Sequence, residues 1–249
     1  MELNRRSFIT GTVAAAVTAG TAATALADIE GAKSEPVETG AAWLEYPGDI
    51  TPDDEKGTDV LVIGCGFAGS VAAVSAAEKG AQVTVVEKAS QPSGRGAHIT
   101  AFGSKIIQGI LDEGYITEDQ MDYAQIVRNW IRWSQGRLNE RHLWKFAHKS
   151  GACMDWLQDK LEEQGLHGTL WCDFFKGPDY TEWPVTHFFY DDTTDFVYLN
   201  GVSHGLGMDI ILPALKTIGE GMGVEYMFDT QALRLVRPGN EGAVTGAIV

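Results

Sequence analysis

The residues whose types and spacing could do chemistry lie between Gly64 and Glu87. Gly64, Gly66 and Gly69 follow a G-x-G-x-x-G spacing, and Glu87 stands about twenty residues further on. Together they suit the holding of a dinucleotide. Gly64 permits a tight turn, Gly66 leaves room for a pyrophosphate to approach the backbone, and Gly69 lets a helix pack closely on a strand. Phosphates would rest on the free amides at the N-terminus of the following helix, where the dipole favours negative charge, with Phe67 and Ala68 of the turn among the cofactor-binding residues. Glu87 would accept hydrogen bonds from the adenosine ribose and repel a 2′-phosphate, which disfavours NADP.

The flanking elements must put these groups in place. Asp59-Val60-Leu61-Val62-Ile63 is an apolar run long enough for one buried strand. Ser70 to Lys79 is alanine-rich and helix-favouring, Gly80 ends it, and Val83-Thr84-Val85-Val86 gives a second strand that delivers Glu87. Glycines in a turn can serve the backbone alone, but here strand, helix, Ala73 at the close helix–sheet contact and the acid all agree. Cys65, inside the turn, reads as a small residue tolerated between two glycines rather than a redox thiol, because no resolving partner lies nearby.

The formal net charge of −15 over 249 residues argues against nucleic acid or an anionic membrane surface as partner. Cys65, Cys153 and Cys172 have neither a disulfide framework nor metal-ligand spacing, so no metal site is expected, and the lack of a CxxCH excludes covalently attached c-type haem in this chain. At the N-terminus, Asn4-Arg5-Arg6-Ser7-Phe8-Ile9, a weakly apolar stretch and Ala25-Leu26-Ala27 resemble a twin-arginine export signal, so residues 1–27 are expected to be removed before Asp28. That places the mature chain in the periplasm or cell envelope, with no integral membrane span. Residues 28–57, acidic and punctuated by Pro36, Pro47 and Pro52, read as a linker.

Residues 58–249 read as one nucleotide-binding domain. Thr117 with Gln120 forms a capping box before a helix whose face carries Tyr123, Ile126, Val127, Trp130 and Ile131. Asn139 caps the next helix, with Leu143, Phe146, Ala147, Met154, Leu157 and Leu161 at helical spacing and Gly165 as its end. Trp130, Trp133, Trp144 and Trp156 are assigned to the core. Gly168 to Tyr198 reads as a loop dense in aromatics, among them Trp171, Trp183, His187 and Phe188; it either lines the substrate side of the cofactor and favours a flat substrate or is pinned to the surface by its own rings. A helix from Met208 to about Glu220, a strand over 223–228 and a hairpin turning at Pro238-Gly239-Asn240 complete the chain, with His204 read as structural.

The strand, glycine turn, helix and Glu87-Lys88, followed by the small-residue loop Ser93-Gly94-Arg95-Gly96-Ala97-His98 and Ala101-Phe102-Gly103, resemble the FAD-dependent fumarate reductase and succinate dehydrogenase flavoprotein family. The resemblance implies an α/β fold, a Rossmann-like three-layer FAD-binding sheet with a helical insertion and a β-hairpin. It adds Lys88, Gly94, Gly96, Ala97, His98, Gly103 and the backbone at Ala232 to the FAD-binding residues. Arg95 and Ala97 stand where that family carries glycine or asparagine, and His98 falls one position from the histidine that bears covalent flavin in its membrane-bound branch; covalent attachment and an ordinary polar contact both stay open.

The resemblance implies an oxidoreductase that reduces an activated C=C bond of an unsaturated or aromatic carboxylate or enone by hydride from flavin, with a separate cytochrome or other protein as electron donor. Two alternatives stand beside it, a FAD-fold dehydrogenase or oxidase such as a ketosteroid dehydrogenase, and a non-catalytic nucleotide-binding remnant. The family's substrate-binding arginine and proton-donating groups belong to a capping domain that would follow Val249, so the expectation is a fragment or truncated product, and no catalytic residue is assigned here.

Overall fold

A computed structural model describes residues 7–11 (backbone only), 50–96, 98–171, 184–194, 207–237 and 242–249. The chain divides into two compact units, residues 1–92 with 219–249, and the inserted residues 93–218.

The first unit is built on a parallel sheet. Its strands β3 (Val60–Ile63), β4 (Val83–Val86) and β8 (Glu225–Met227) run in the order β3-β4-β8. Register pairs Ile63 with Val86 and Val86 with Met227, so the carboxyl ends of all three strands are level. Every β4 side chain is buried, as the unbroken Val-Thr-Val-Val run requires of a central parallel strand. Helix α1 (Phe67–Glu78) covers the sheet through Ala73 and the core of Val62, Cys65, Val83, Val85 and Val224. The helix begins at Phe67 rather than Ser70, because Gly66 already serves as its N-cap.

The same unit holds a second sheet, in the order β2 (Asp54–Thr58), β1 (Ser7–Gly11), β10 (Gly246–Ile248), β9 (Arg234–Val236). The hairpin of β9 and β10 pairs antiparallel as expected, although its Pro238-Gly239-Asn240 turn lies outside the described residues. β2 occupies the end of the stretch read as a linker, and β1, within the stretch read as a signal, runs between β2 and β10.

The inserted unit has its own core. Helices α2 (Lys105–Asp112), α3 (Tyr123–Trp133) and α4 (Glu140–Glu162) enclose Phe102, Ile106, Ile107, Ile126, Val127, Leu143 and Ala147. Asn139 caps α4 as expected, its side chain accepting from Arg141 and His142 N–H. The Thr117–Gln120 box forms, but it heads a single 3-10 turn (Glu118–Met121), and Asp122 starts α3 by accepting from Gln125 N–H. Trp130 and Trp144 pack on the core, whereas Trp133 is 44 % exposed, outside the core it was assigned to; Phe146 lies near the surface with its ring edge-on to Phe102 and Trp130.

The aromatic stretch read as a loop contains two strands, β6 (His167–Leu170) and β7 (Thr186–Tyr190). They pair antiparallel with each other, and β7 pairs on its other edge with β5 (Ile99–Thr100). Alternation is hidden because both faces of β7 carry rings: Phe188 and Tyr190 on one, His187 and Phe189 on the other. Helix α5 (Met208–Gly221) contains the boundary between the units.

Candidate functional site

In the first unit the glycine turn sits at the carboxyl ends of β3 and β4. Gly64 has φ +97°, a left-handed conformation that a side chain would strain, and its N–H donates to Val86 O at 2.7 Å, closing the turn onto β4. A Cβ at Gly69 would lie 2.0 Å from Gly64 O, so the first turn of α1 can approach the end of β3 only because position 69 has no side chain. No side chain caps α1 and no acid stands in its first turn, which leaves the amides at Phe67, Ala68 and Gly69 facing outward with the positive end of the dipole.

Glu87 is 8 % exposed. One carboxylate oxygen accepts Cys65 N–H at 2.6 Å and the other accepts Ala89 N–H at 2.8 Å. The acid therefore braces the glycine turn from below as well as standing where a ribose would lie. Each oxygen has a second lone pair, so two acceptor sites remain for sugar hydroxyls. The sequence shows Glu87 only as a ribose acceptor; the brace arises from the level ends of β3 and β4. The turn after β8 joins the same rim: Thr230 N–H donates to Glu87 O at 2.9 Å and Asp229 N–H to Ala89 O at 3.0 Å. Ala232 follows, half-buried against Val86, Ala247 and Val249. The Cys65 thiol is buried, 3.6 Å from Ser70 Oγ.

Gly64, Gly66, Phe67, Ala68, Gly69, Glu87, Lys88 and Ala232 thus share one unit. An uncapped helix N-terminus, a glycine turn without side chains and an acid with open lone pairs fit the pyrophosphate and ribose of an ADP group. Gly94, Gly96, His98 and Gly103 belong to the inserted unit, and Ala97 lies outside the described residues. Gly96 O accepts Met208 N–H at 3.2 Å. Exposed His98 meets Trp171 edge-on at 5.3 Å between ring centroids and Phe188 at 6.3 Å, and Trp171 meets Phe188 at 6.1 Å. Trp183, Cys172 and His204 lie outside the described residues. Among the described residues no cluster of His, Cys, Asp and Glu could hold a metal, and no helix is long and apolar enough to cross a membrane.

Gly103 is exposed between buried Phe102 and Ser104. The turn is held from three sides: Ala101 N–H donates to Val185 O at 3.0 Å, Phe102 N–H to Ser150 Oγ at 3.0 Å, and Ser104 Oγ lies 2.6 Å from Nε2 of the fully buried His187. His187 Nδ1 is 3.2 Å from Ile99 O and 3.1 Å from Val185 O. Sequence reasoning placed His187 among loop aromatics; its pairing with Ser104 spans too much sequence for any local signal.

Burial lowers the His187 pKa from 6.5 to about 4, with the carbonyls of Ile99 and Val185 and the charge of Asp155 opposing it. Between those values the unfolded chain binds the proton and the folded chain does not. The contribution of His187 to stability is therefore fully present above pH 6.5, declines below it and is lost as pH falls through about 4. The His187 contribution amounts to about 3 kcal/mol. Equilibrium unfolding at pH 7 and pH 4 should show that loss in the wild type, and less of it once His187 is replaced by glutamine.

The profile of the FAD binding domain family matches residues 59–249. Digoxin reductase from Eggerthella lenta is 33% identical over 129 residues, covering 51% of this chain and 22% of its own. Vinyl phenol reductase from Lactiplantibacillus plantarum is 24% identical over 196 residues, covering 77% of this chain and 33% of its own. The chain thus spans a third or less of the length of these two relatives. The open conformation of a flavocytochrome c3 fumarate reductase superposes with a TM-score of 0.53 at 21% identity, over 77% of this chain and 30% of that one. A 3-ketosteroid-delta4-(5alpha)-dehydrogenase from Rhodococcus jostii RHA1 gives 0.54 at 21% identity, over 76% and 41%; both likenesses support the fold. With the turn, the uncapped helix and the braced acid in place, the match over residues 59–249 establishes that the chain belongs to the FAD binding domain family, with FAD as its cofactor.

Proposed function

We propose that the protein is a FAD-dependent oxidoreductase that reduces the activated C=C bond of an unsaturated carboxylate or enone bearing a flat or aromatic group. The observation that carries the reading is the Gly64–Gly69 turn braced by Glu87, since it holds the cofactor on which such chemistry depends. The two curated relatives are both named as reductases, and vinyl phenol carries a C=C bond on an aromatic ring. The ring cluster of His98, Trp171 and Phe188 supports a flat substrate.

The reaction adds a hydride to one carbon and a proton to the other, and FAD supplies the hydride chemistry when bound. The chain's own part is to bind and orient. The α1 amides would take the pyrophosphate, Glu87 would hold the ribose and exclude a 2′-phosphate, and the backbone at Ala232 would lie on the adenine side. A separate redox protein delivers electrons. Arg5-Arg6 and Ala25-Leu26-Ala27 support twin-arginine export to the periplasm or cell envelope. Cleavage before Asp28 removes β1 from between β2 and β10, so the mature chain rearranges that sheet.

The test is the whole protein that carries this chain, purified and assayed with reduced methyl viologen as donor. It should be yellow, release FAD on heating, and oxidise the donor with arylacrylate or vinyl phenol acceptors at least about tenfold faster than with fumarate. Replacing Trp171 and Phe188 by alanine should erase that preference while FAD content stays. Bound FAD with no acceptor turned over would overturn the reading.

A further inference from the structure

Past the end of β8 the parallel ladder changes step. Glu87 N–H donates to Met227 O at 2.9 Å, and an unbroken ladder would next join Asp229 N–H to Glu87 O. Thr230 N–H takes that carbonyl instead, at 2.9 Å, while Asp229 N–H turns to Ala89 O at 3.0 Å. One extra residue has thus been let into the strand as a bulge, and that residue is Asp229. Its φ of +51° lies in the left-handed region, which Asp and Asn accept more readily than other side chains and β-branched residues hardly at all. The bulge is anchored on both sides. Phe228 packs against the core under α1 with its ring parallel to that of Tyr226 at 5.9 Å, and Thr230 Oγ1 donates to Phe228 O at 2.8 Å. Ala232 is set against Val86, Ala247 and Val249.

We propose that Asp229 is a positioning residue for the nucleotide: by its left-handed backbone, not by its carboxylate, it holds Glu87 where one acid both braces the glycine turn and takes the ribose. This rests on the ribose reading of Glu87 above. The path is short and lies within one unit. Asp229 N–H fixes the carbonyl of Ala89, Ala89 N–H fixes one Glu87 oxygen at 2.8 Å, and the other oxygen accepts Cys65 N–H at 2.6 Å. Thr230 N–H holds the main chain of Glu87 itself. Were residue 229 to leave the left-handed region, two successive amides could no longer meet carbonyls two residues apart on the neighbouring strand. The Glu87 carboxylate would then swing with the backbone of 87–89. That shift falls first on the ribose hydroxyls, whose hydrogen bonds need both direction and distance, and less on the pyrophosphate at α1.

The experiment measures dissociation constants of ADP and 2′-deoxy-ADP on the whole protein that carries this chain, after release of its flavin, for wild type, Asp229→Val, Asp229→Gly and Asp229→Asn. The missing 2′-hydroxyl reads the Glu87 contact, so wild type should prefer ADP about tenfold. Asp229→Val should weaken ADP at least about tenfold and narrow that preference to below about threefold, because valine resists the left-handed region. Glycine enters that region without strain and asparagine with little, so both variants should stay within about threefold of wild type in affinity and in preference. A preference left unchanged in Asp229→Val, or the same loss in Asp229→Gly as in Asp229→Val, overturns the proposal. If Asp229→Val does not fold, Asp229→Ala decides, since alanine differs from glycine only in the methyl that resists positive φ. Asp229→Ala should then narrow the preference where Asp229→Gly keeps it, and equal behaviour of the two overturns the proposal. Wild-type protein that binds both nucleotides equally sinks the ribose reading of Glu87 itself, and the proposal with it.

Discussion

Glu87→Ala yields a protein that no longer retains FAD and is less stable by at least about 3 kcal/mol, because two charge-assisted hydrogen bonds disappear together. The Cys65 and Ala89 amides lose their acceptor at a position 8 % exposed, where water is a poor replacement. Without its brace the turn at Gly64 to Gly66 is free to shift, so the loss of cofactor exceeds the loss of ribose contacts. Glu87→Gln separates the two effects. An amide can accept from one of the two backbone amides but presents a donor to the other, so stability falls less than in the alanine variant while FAD content still drops. Flavin absorbance per mole of purified chain and urea unfolding measure the two quantities, and full flavin retention in Glu87→Ala would contradict the site.

Gly69→Ala has an effect of similar size by a different route. The added methyl would lie 2.0 Å from Gly64 O, well inside van der Waals contact. The carbonyl belongs to the turn and the methyl to the helix backbone, so neither is the end of a flexible side chain. Helix α1 must withdraw by about 1 Å, a strain of about 1–3 kcal/mol. Its amides withdraw from the pyrophosphate with it, and a displacement of that size costs about a hundredfold in a positioned interaction. FAD affinity should fall by about that factor with the fold retained, seen as a normal circular dichroism spectrum on a colourless protein.

The glycine turn and Glu87 were legible because their signals are local: a strand, a turn and a helix within about thirty residues, each with its own composition. The Asn139 cap and the β9–β10 hairpin were legible for the same reason. The β5-β7-β6 sheet was not, since β5 has two residues and its register pairs Ile99 with His187, far along the chain. Helix α2 was not legible because Ala101-Phe102-Gly103 reads as the end of a flavin loop, whereas the next residue, Ser104, is the helix N-cap. Trp133 shows the limit of periodicity, which reports that a ring lies on a helix but not that a neighbouring element covers it.

The pairing of β4 with β8 joins residues 84–86 to residues 225–227, so the nucleotide-binding sheet closes only across about 140 residues of intervening chain. Such a closure is slow in an open coil, since the ends must meet before any contact rewards them. The span 93–218 has a core of its own, so its collapse shortens the effective loop that β8 must close to reach β4. During synthesis, β3, α1 and β4 emerge before the insertion, and β8 only after it. The turn that receives the cofactor is thus made well before the strand that completes its sheet.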